Sequence, residues 1–174
     1  MQVADSASRV GENDVLVARK VYEDDINDVF LGAEKLGDGI NLMENGRVIL
    51  SSLQTYDPDP DDGEFEFNQT IGWQRCRGAK NVESSYGEEG DGADDDSFPG
   101  MGESGEEITA APGTAVMFVE VSYTYDSITY FDFLDGREIS YTAAFNIRDS
   151  RDLTQLYKED PDDDVADCSE FSAT

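Results

Sequence analysis

Between Ala115 and Arg148 the chain alternates in a way that leaves few choices of structure. Met117, Val119, Val121, Tyr123 and Tyr125 share one parity against Glu120, Ser122 and Thr124. Further on, Ile139, Tyr141, Ala143, Phe145 and Ile147 oppose Glu138, Ser140, Thr142, Asn146 and Arg148. A period of two marks a strand with one face in the core and one in water. Asp135-Gly136 between the two runs tolerates the positive φ of a tight hairpin turn. Asp126 to Leu134 either lengthens the strands or forms an excursion at their tip. The ribbon is the expected centre of the core, with Val119, Val121, Tyr141, Ala143 and Phe145 buried beneath another element.

A candidate for that element precedes it. Ser6 to Leu36 contains no proline, and Ser6 or Ser8 can cap its start. Val3, Ala7, Val10, Val17 and Val21 follow helical spacing. Leu16, Ile26, Val29, Phe30, Ala33 and Leu36 continue it on a shifted face, with a bend or break at Glu23-Asp24-Asp25. Gly37 and Gly39 end the helix, and Val17 or Val21 is expected to touch the ribbon.

A second strand pair lies between helix and ribbon. Ile40–Asn45 is a connector, and Gly46–Tyr56 forms a strand centred on Val48, Ile49 and Leu50. Phe65–Arg75 is its antiparallel partner, with Phe65, Phe67, Ile71 and Trp73 on one parity. The tip, Asp57 to Gly63, holds two prolines and an Asp-Gly. Asp57, Asp59 and Asp61 have the spacing of a calcium loop, but the glycine falls one residue late and position twelve is Asn68, not a bidentate glutamate. A solvated acidic turn is the favoured reading, with calcium as the candidate cofactor otherwise.

Residues 77–112 are rich in Gly, Ser and acid. Asp91–Asp96 reads as a mobile acidic loop, and Phe98-Pro-Gly-Met-Gly as a looping segment with an apolar anchor. Arg151–Tyr157 forms a short helix or an irregular edge. The acidic tail from Lys158 is expected to be pinned only near Cys168.

The chain of 174 residues carries 40 acids against 12 bases, a net charge of −28. Nucleic acid is excluded as a partner by sign, and anionic lipid is disfavoured for the same reason. The acids are scattered along the chain, which favours a salt-adapted, solvated surface over cation binding. There is no histidine, so histidine-based triads are excluded. No phosphate-cradling glycine loop, nucleophile elbow or HExxH occurs, and the reading is of a protein that is not an enzyme. Arg75-Cys76-Arg77 is either an anion site or a local pairing with the acidic loops, the second favoured.

Cys76 and Cys168 fit neither a zinc spacing nor a redox CxxC. They either pair or remain two buried thiols. A bridge is favoured; closing about 90 residues stabilises by on the order of 4–5 kcal/mol in the loop-entropy account, and it implies an oxidising compartment. No apolar run is long enough to span a membrane, so an exported chain is expected to carry its leader and membrane helix upstream of Met1.

The expected fold is therefore α+β, one domain over 1–174. A long N-terminal helix (1–37) packs on an antiparallel sheet of about four strands (46–157, with loops), followed by a disulfide-pinned tail (158–174). This is the order of a pilin-like headpiece. Several stretches resemble the TadE/TadG-like pilus-assembly proteins of Gram-negative bacteria. They include Asn45-Gly-Arg-Val-Ile-Leu-Ser-Ser-Leu53, Trp73-Gln-Arg-Cys-Arg-Gly78, Ser84-Ser-Tyr-Gly87 and Phe98-Pro-Gly-Met-Gly102. Pro112 to Ser122 and Arg148-Asp-Ser-Arg-Asp-Leu-Thr-Gln155 extend the likeness. The resemblance implies a minor pilin or pseudopilin of the tight-adherence (Tad) pilus, in the cell envelope or on the extracellular pilus. It implies other pilus subunits as partners through the N-terminal helix, and no catalytic residues. The alternative is a calcium-dependent extracellular adhesion module that uses the acidic loops.

Overall fold

β-branched and aromatic residues build four strands, and the first pairs with both the second and the third. In the computed structural model these are β1 (Gly46–Tyr56), β2 (Asn68–Arg77), β3 (Ala115–Thr124) and β4 (Glu138–Asn146). The structure describes residues 20–57, 67–94, 97–126, 136–147, 152 and 155–173. All pairings are antiparallel and the order is β2-β1-β3-β4. The expected ribbon is the β3–β4 pair, in a register that sets Val121 against Tyr141 and Val119 against Ala143.

Helix α1 (Glu23–Gly37, 15 residues) covers one face and continues as a 3-10 turn, Asp38–Ile40. Val29, Phe30 and Ala33 join Val48, Leu50, Trp73, Met117 and Val119 in one cluster. Val21 belongs to it, as the helix-on-sheet expectation requires, although its backbone is not helical. Tyr22 is extended (φ −105, ψ 156). A two-way exchange with Tyr157 holds it there: Glu23 N donates to Tyr157 O (2.8 Å) and Tyr157 N to Val21 O (2.9 Å). The break expected at Glu23–Asp25 thus falls at Tyr22, and Asp25 caps the helix by accepting from Tyr22 N (3.0 Å). The acids of the first turn face the positive end of the helix dipole. Beyond Gly37 the left-handed residue is Asn41 (φ 51) rather than a glycine, and α2 (Leu42–Asn45) leads into β1. The expected helix over 6–19, Val17 included, lies outside the described residues.

Three expectations are corrected. Tyr141 and Ile139 are 46% and 52% exposed: α1 crosses the β1–β3 half of the sheet and leaves the first half of edge strand β4 open. Ile71 and Trp73 do not share a face. Ser52 pairs with Trp73 and Leu53 with Ile71, so Gly72 is an extra residue that reverses the parity. A Cβ on Gly72 would stand 2.4 Å from the Gln54 amide, which is why the bulge falls on a glycine. The partner strand runs to Arg77 instead of Arg75, and Phe67 before it is exposed.

The third correction concerns the other face. β3 is buried on both sides, because the 79–113 segment forms a second layer over it. Met101, Ala110, Leu53, Ile71, Val116 and Phe118 form a second apolar cluster. Tyr86 meets Phe118 edge-on, ring centroids 5.3 Å apart. Gln69 fastens this layer by a reciprocal pair with Ala110: Nε2 donates to the carbonyl (3.2 Å) and Oε1 accepts from the amide (2.7 Å).

Truncation tests the distinction between covered and open positions. Phe30→Ala is expected to cost about 3–5 kcal/mol and Tyr141→Ala within about 0.5 kcal/mol, both read from denaturant titration.

Candidate functional site

Polar groups converge where β2 meets the C-terminal segment. Cys76 and Cys168 are bonded, with Cα atoms 4.7 Å apart and a sequence separation of 92. The tail is pinned along its length, not only at Cys168 as expected. Cys76 N donates to Ala166 O (2.8 Å), Gly78 N to Ser172 O (2.8 Å), and Asn27 Nδ2 to Asp164 O (2.8 Å).

The anchor of this arrangement is Arg47, a residue the sequence did not single out. It is 1% exposed. One Nη donates to the carbonyls of Gly78 (3.2 Å) and Glu170 (2.9 Å), the other to that of Cys168 (2.6 Å). The guanidinium carbon lies 4.1 Å from the centroid of the Phe171 ring. Burial pushes the Arg47 pKa down, against the attraction of Glu83. The one available signal was a lone base opening the otherwise uncharged run from Gly46 to Tyr56.

Arg75 and Arg77 are committed to local acids. Arg75 Nε and Nη2 engage both oxygens of Glu23 (2.9 and 2.6 Å), and Nη1 reaches Glu89 (2.8 Å). Burial lowers the Arg75 pKa, but the hydrogen bonds and charges of Glu23 and Glu89 outweigh it and the net shift is upward. Arg77 reaches Asn27 (3.1 Å) and lies 3.7 Å from Asp164. Local pairing is thus what the structure shows. The expected mobile loop also opens on fixed residues, since Ile71 N donates to Asp91 O (2.9 Å) and Gly90 N to Ile71 O (2.8 Å).

A cleft of about 560 Å³ opens beside the disulfide, with Arg47 and Arg75 at its base and Glu83, Glu88, Glu89 and Asp167 on its walls. These acids face water, and both arginines already have partners. The cleft therefore presents a hydrated acidic rim rather than a nucleophile with a base beside it. Asp57 follows β1 half-buried, while Asp59 and Asp61 lie outside the described residues. Among the described residues no group of three acids or cysteines is placed to hold a metal ion.

Glu120 is the buried acid of the second layer. It accepts from Ser84 Oγ (2.6 Å) and Ser85 N (2.9 Å), which ties the loop to β3. Burial nevertheless pushes its carboxyl above the usual glutamate value, against the pull of those two bonds.

Comparisons with family models, with curated proteins and with solved structures returned no match.

Two predictions follow from this geometry. The double variant Cys76→Ser/Cys168→Ser should lose about 4–5 kcal/mol and show a steeper denaturant dependence, because its unfolded chain is less compact. Glu120 binds its proton more tightly folded than unfolded, so its contribution to stability falls as pH rises through the glutamate range. Glu120→Gln keeps an acceptor and a donor for Ser84 and Ser85 and removes that penalty. Its stability relative to the parent should rise between pH of about 4 and about 8, measured by thermal melts across that range.

Proposed function

We propose that this chain is the exported part of a non-enzymatic structural subunit of the bacterial cell envelope, and in finer terms the pilin-like head of a TadE/TadG-like component of a Tad-type pilus. The observation that carries the proposal is the disulfide between an edge strand and the tail. Such a bridge persists in an oxidising compartment, and here it fixes a surface rather than a reactive centre. An N-terminal helix across one face of an antiparallel sheet supports the finer reading, as does the ordered set of stretches from Asn45 to Gln155. On this reading the helix meets neighbouring subunits. Leu31 and Leu36 are exposed on its outer side, Leu36 at 62%, and supply apolar contact area that the single chain does not use.

The experiment is done in the native cells. Alkylation without prior reduction, followed by mass spectrometry, should find both cysteines protected. Removing the gene should abolish the surface filaments, and Leu31→Asp with Leu36→Asp should reproduce that loss at unchanged protein level and melting temperature. Two alkylated thiols, or filaments undiminished by deletion, overturn the proposal.

A further inference from the structure

The two edges of the sheet are finished differently. The outer groups of β2 are taken up by other segments: Ile71 by Asp91 and Gly90, Gln74 N by the Glu89 carboxylate (2.9 Å), Cys76 N by Ala166 O. On β4 the bonds from Tyr125 N to Arg137 O and from Ile147 N to Ala115 O fix the odd-numbered residues as those bonded to β3. The N–H and C=O groups of Ser140, Thr142 and Ala144 therefore point outward, and among the described residues nothing bonds to them. Natural edges of this kind are blocked by charge, proline or a bulge. β4 has none of these along Ile139–Asn146, and Ile139 and Tyr141 stand exposed beside it.

We infer that the outer edge of β4 receives the β4 of a second copy of this chain, antiparallel about a two-fold axis at Thr142. Charge selects this occupant. The stretch Ile139–Ile147 carries no charge in a chain of −28, so a basic strand would find no carboxylate in it to pair with, whereas a neutral strand is its complement. β4 is itself such a strand. In the register that pairs Thr142 with itself, Ser140 faces Ala144 of the second copy and the outward groups of both strands meet. Tyr141 then lies opposite Ala143, and Ile139 opposite Phe145, as cross-strand apolar pairs. Glu138 faces Asn146 and not another acid. The interface is isologous and closes at two copies. The remaining charge of each copy opposes the association, so salt promotes it: the screening length falls from about 10 Å at 0.1 M to about 3 Å at 1 M.

Sedimentation of the full chain tests this. A dimer whose fraction rises between about 0.1 and 1 M salt is expected. Ser140→Pro removes an N–H that points away from β3, so it blocks the open edge without costing a bond to β3, and should leave a folded monomer. Thr142→Cys should give a reducible covalent dimer under mild oxidation, since directly paired Cα atoms stand about 5.5 Å apart. Ser140→Cys should not, because its partner position is 144. A monomer at every salt concentration, a dimer that weakens with salt as an attraction to basic groups would, a dimer that survives Ser140→Pro, or equal cross-linking at 140 and 142 each overturns the inference.

Discussion

The end of the molecule around β2 depends on how one guanidinium is held. Taking a cation out of water costs several kcal/mol unless its donors are met. At Arg47 three carbonyl oxygens meet those of both Nη groups, two from the C-terminal segment, with Phe171 across the charged plane, and Nε alone is buried without a partner among the described residues. A lysine could not do the same, because its compact ammonium is more strongly hydrated and has no flat face to stack. The disulfide makes the arrangement economical: once Cys168 is tied to Cys76, little further chain entropy is lost when Cys168 and Glu170 present their carbonyls. The tail so fixed closes the edge of β2, brings Asp164 to Asn27 and Arg77 beside the helix, and delivers Ala166 to the core.

This concentration of bases matters in a chain of such charge. Four of the twelve bases, Arg47, Arg75, Arg77 and Lys80, lie on or just after β1 and β2, where the helix, the acidic loop and the acidic tail meet. Without them these three carboxylate-rich segments would repel one another across the same edge. Glu23 and Glu89 share Arg75, and Glu138 reaches Lys80 at 3.1 Å. Most of the remaining described acids face water, where salt screens them and each contributes little to the choice of fold. Glu120 is the exception, a buried acid without a base, and its two serine partners show what its burial accomplishes: it holds the loop layer to β3.

Sequence pattern revealed the parts of the fold governed by local period. The β3–β4 hairpin, β1, the apolar stripe of α1 and the pairing of Cys76 with Cys168 follow from alternation, helical spacing and cysteine count. What stayed hidden was set by neighbours distant in the chain. A one-residue bulge at Gly72 looks like an ordinary glycine until Ser52 and Leu53 lie opposite it. The second layer over β3 is built from Met101, Ala110 and Tyr86, too few and too far apart to give any period. Tyr141 has the right parity for the core, but parity names a face and says nothing about how far a covering helix reaches. Arg47 was hidden for a related reason, since its partners are backbone carbonyls that no side-chain pattern reports.

The asymmetry between the sheet edges follows from the same accounting of what each residue faces. In β1 and β3 charge is confined to Arg47 and Glu120, each held by hydrogen-bond partners, because both strands are covered on both faces and any other charge there would be stranded. β4 has no such excuse. Ser140 is in water, where a lysine would leave the single chain nearly unaffected and would guard the edge. With 30% of the residues charged, an open stretch without a charge departs from the composition. Folding of one copy accounts for the scarcity of charge in the buried strands but not for its absence beyond Glu138 in the open half of β4. A constraint that acts only when another neutral strand lies alongside accounts for both the missing charge and the unpaired backbone.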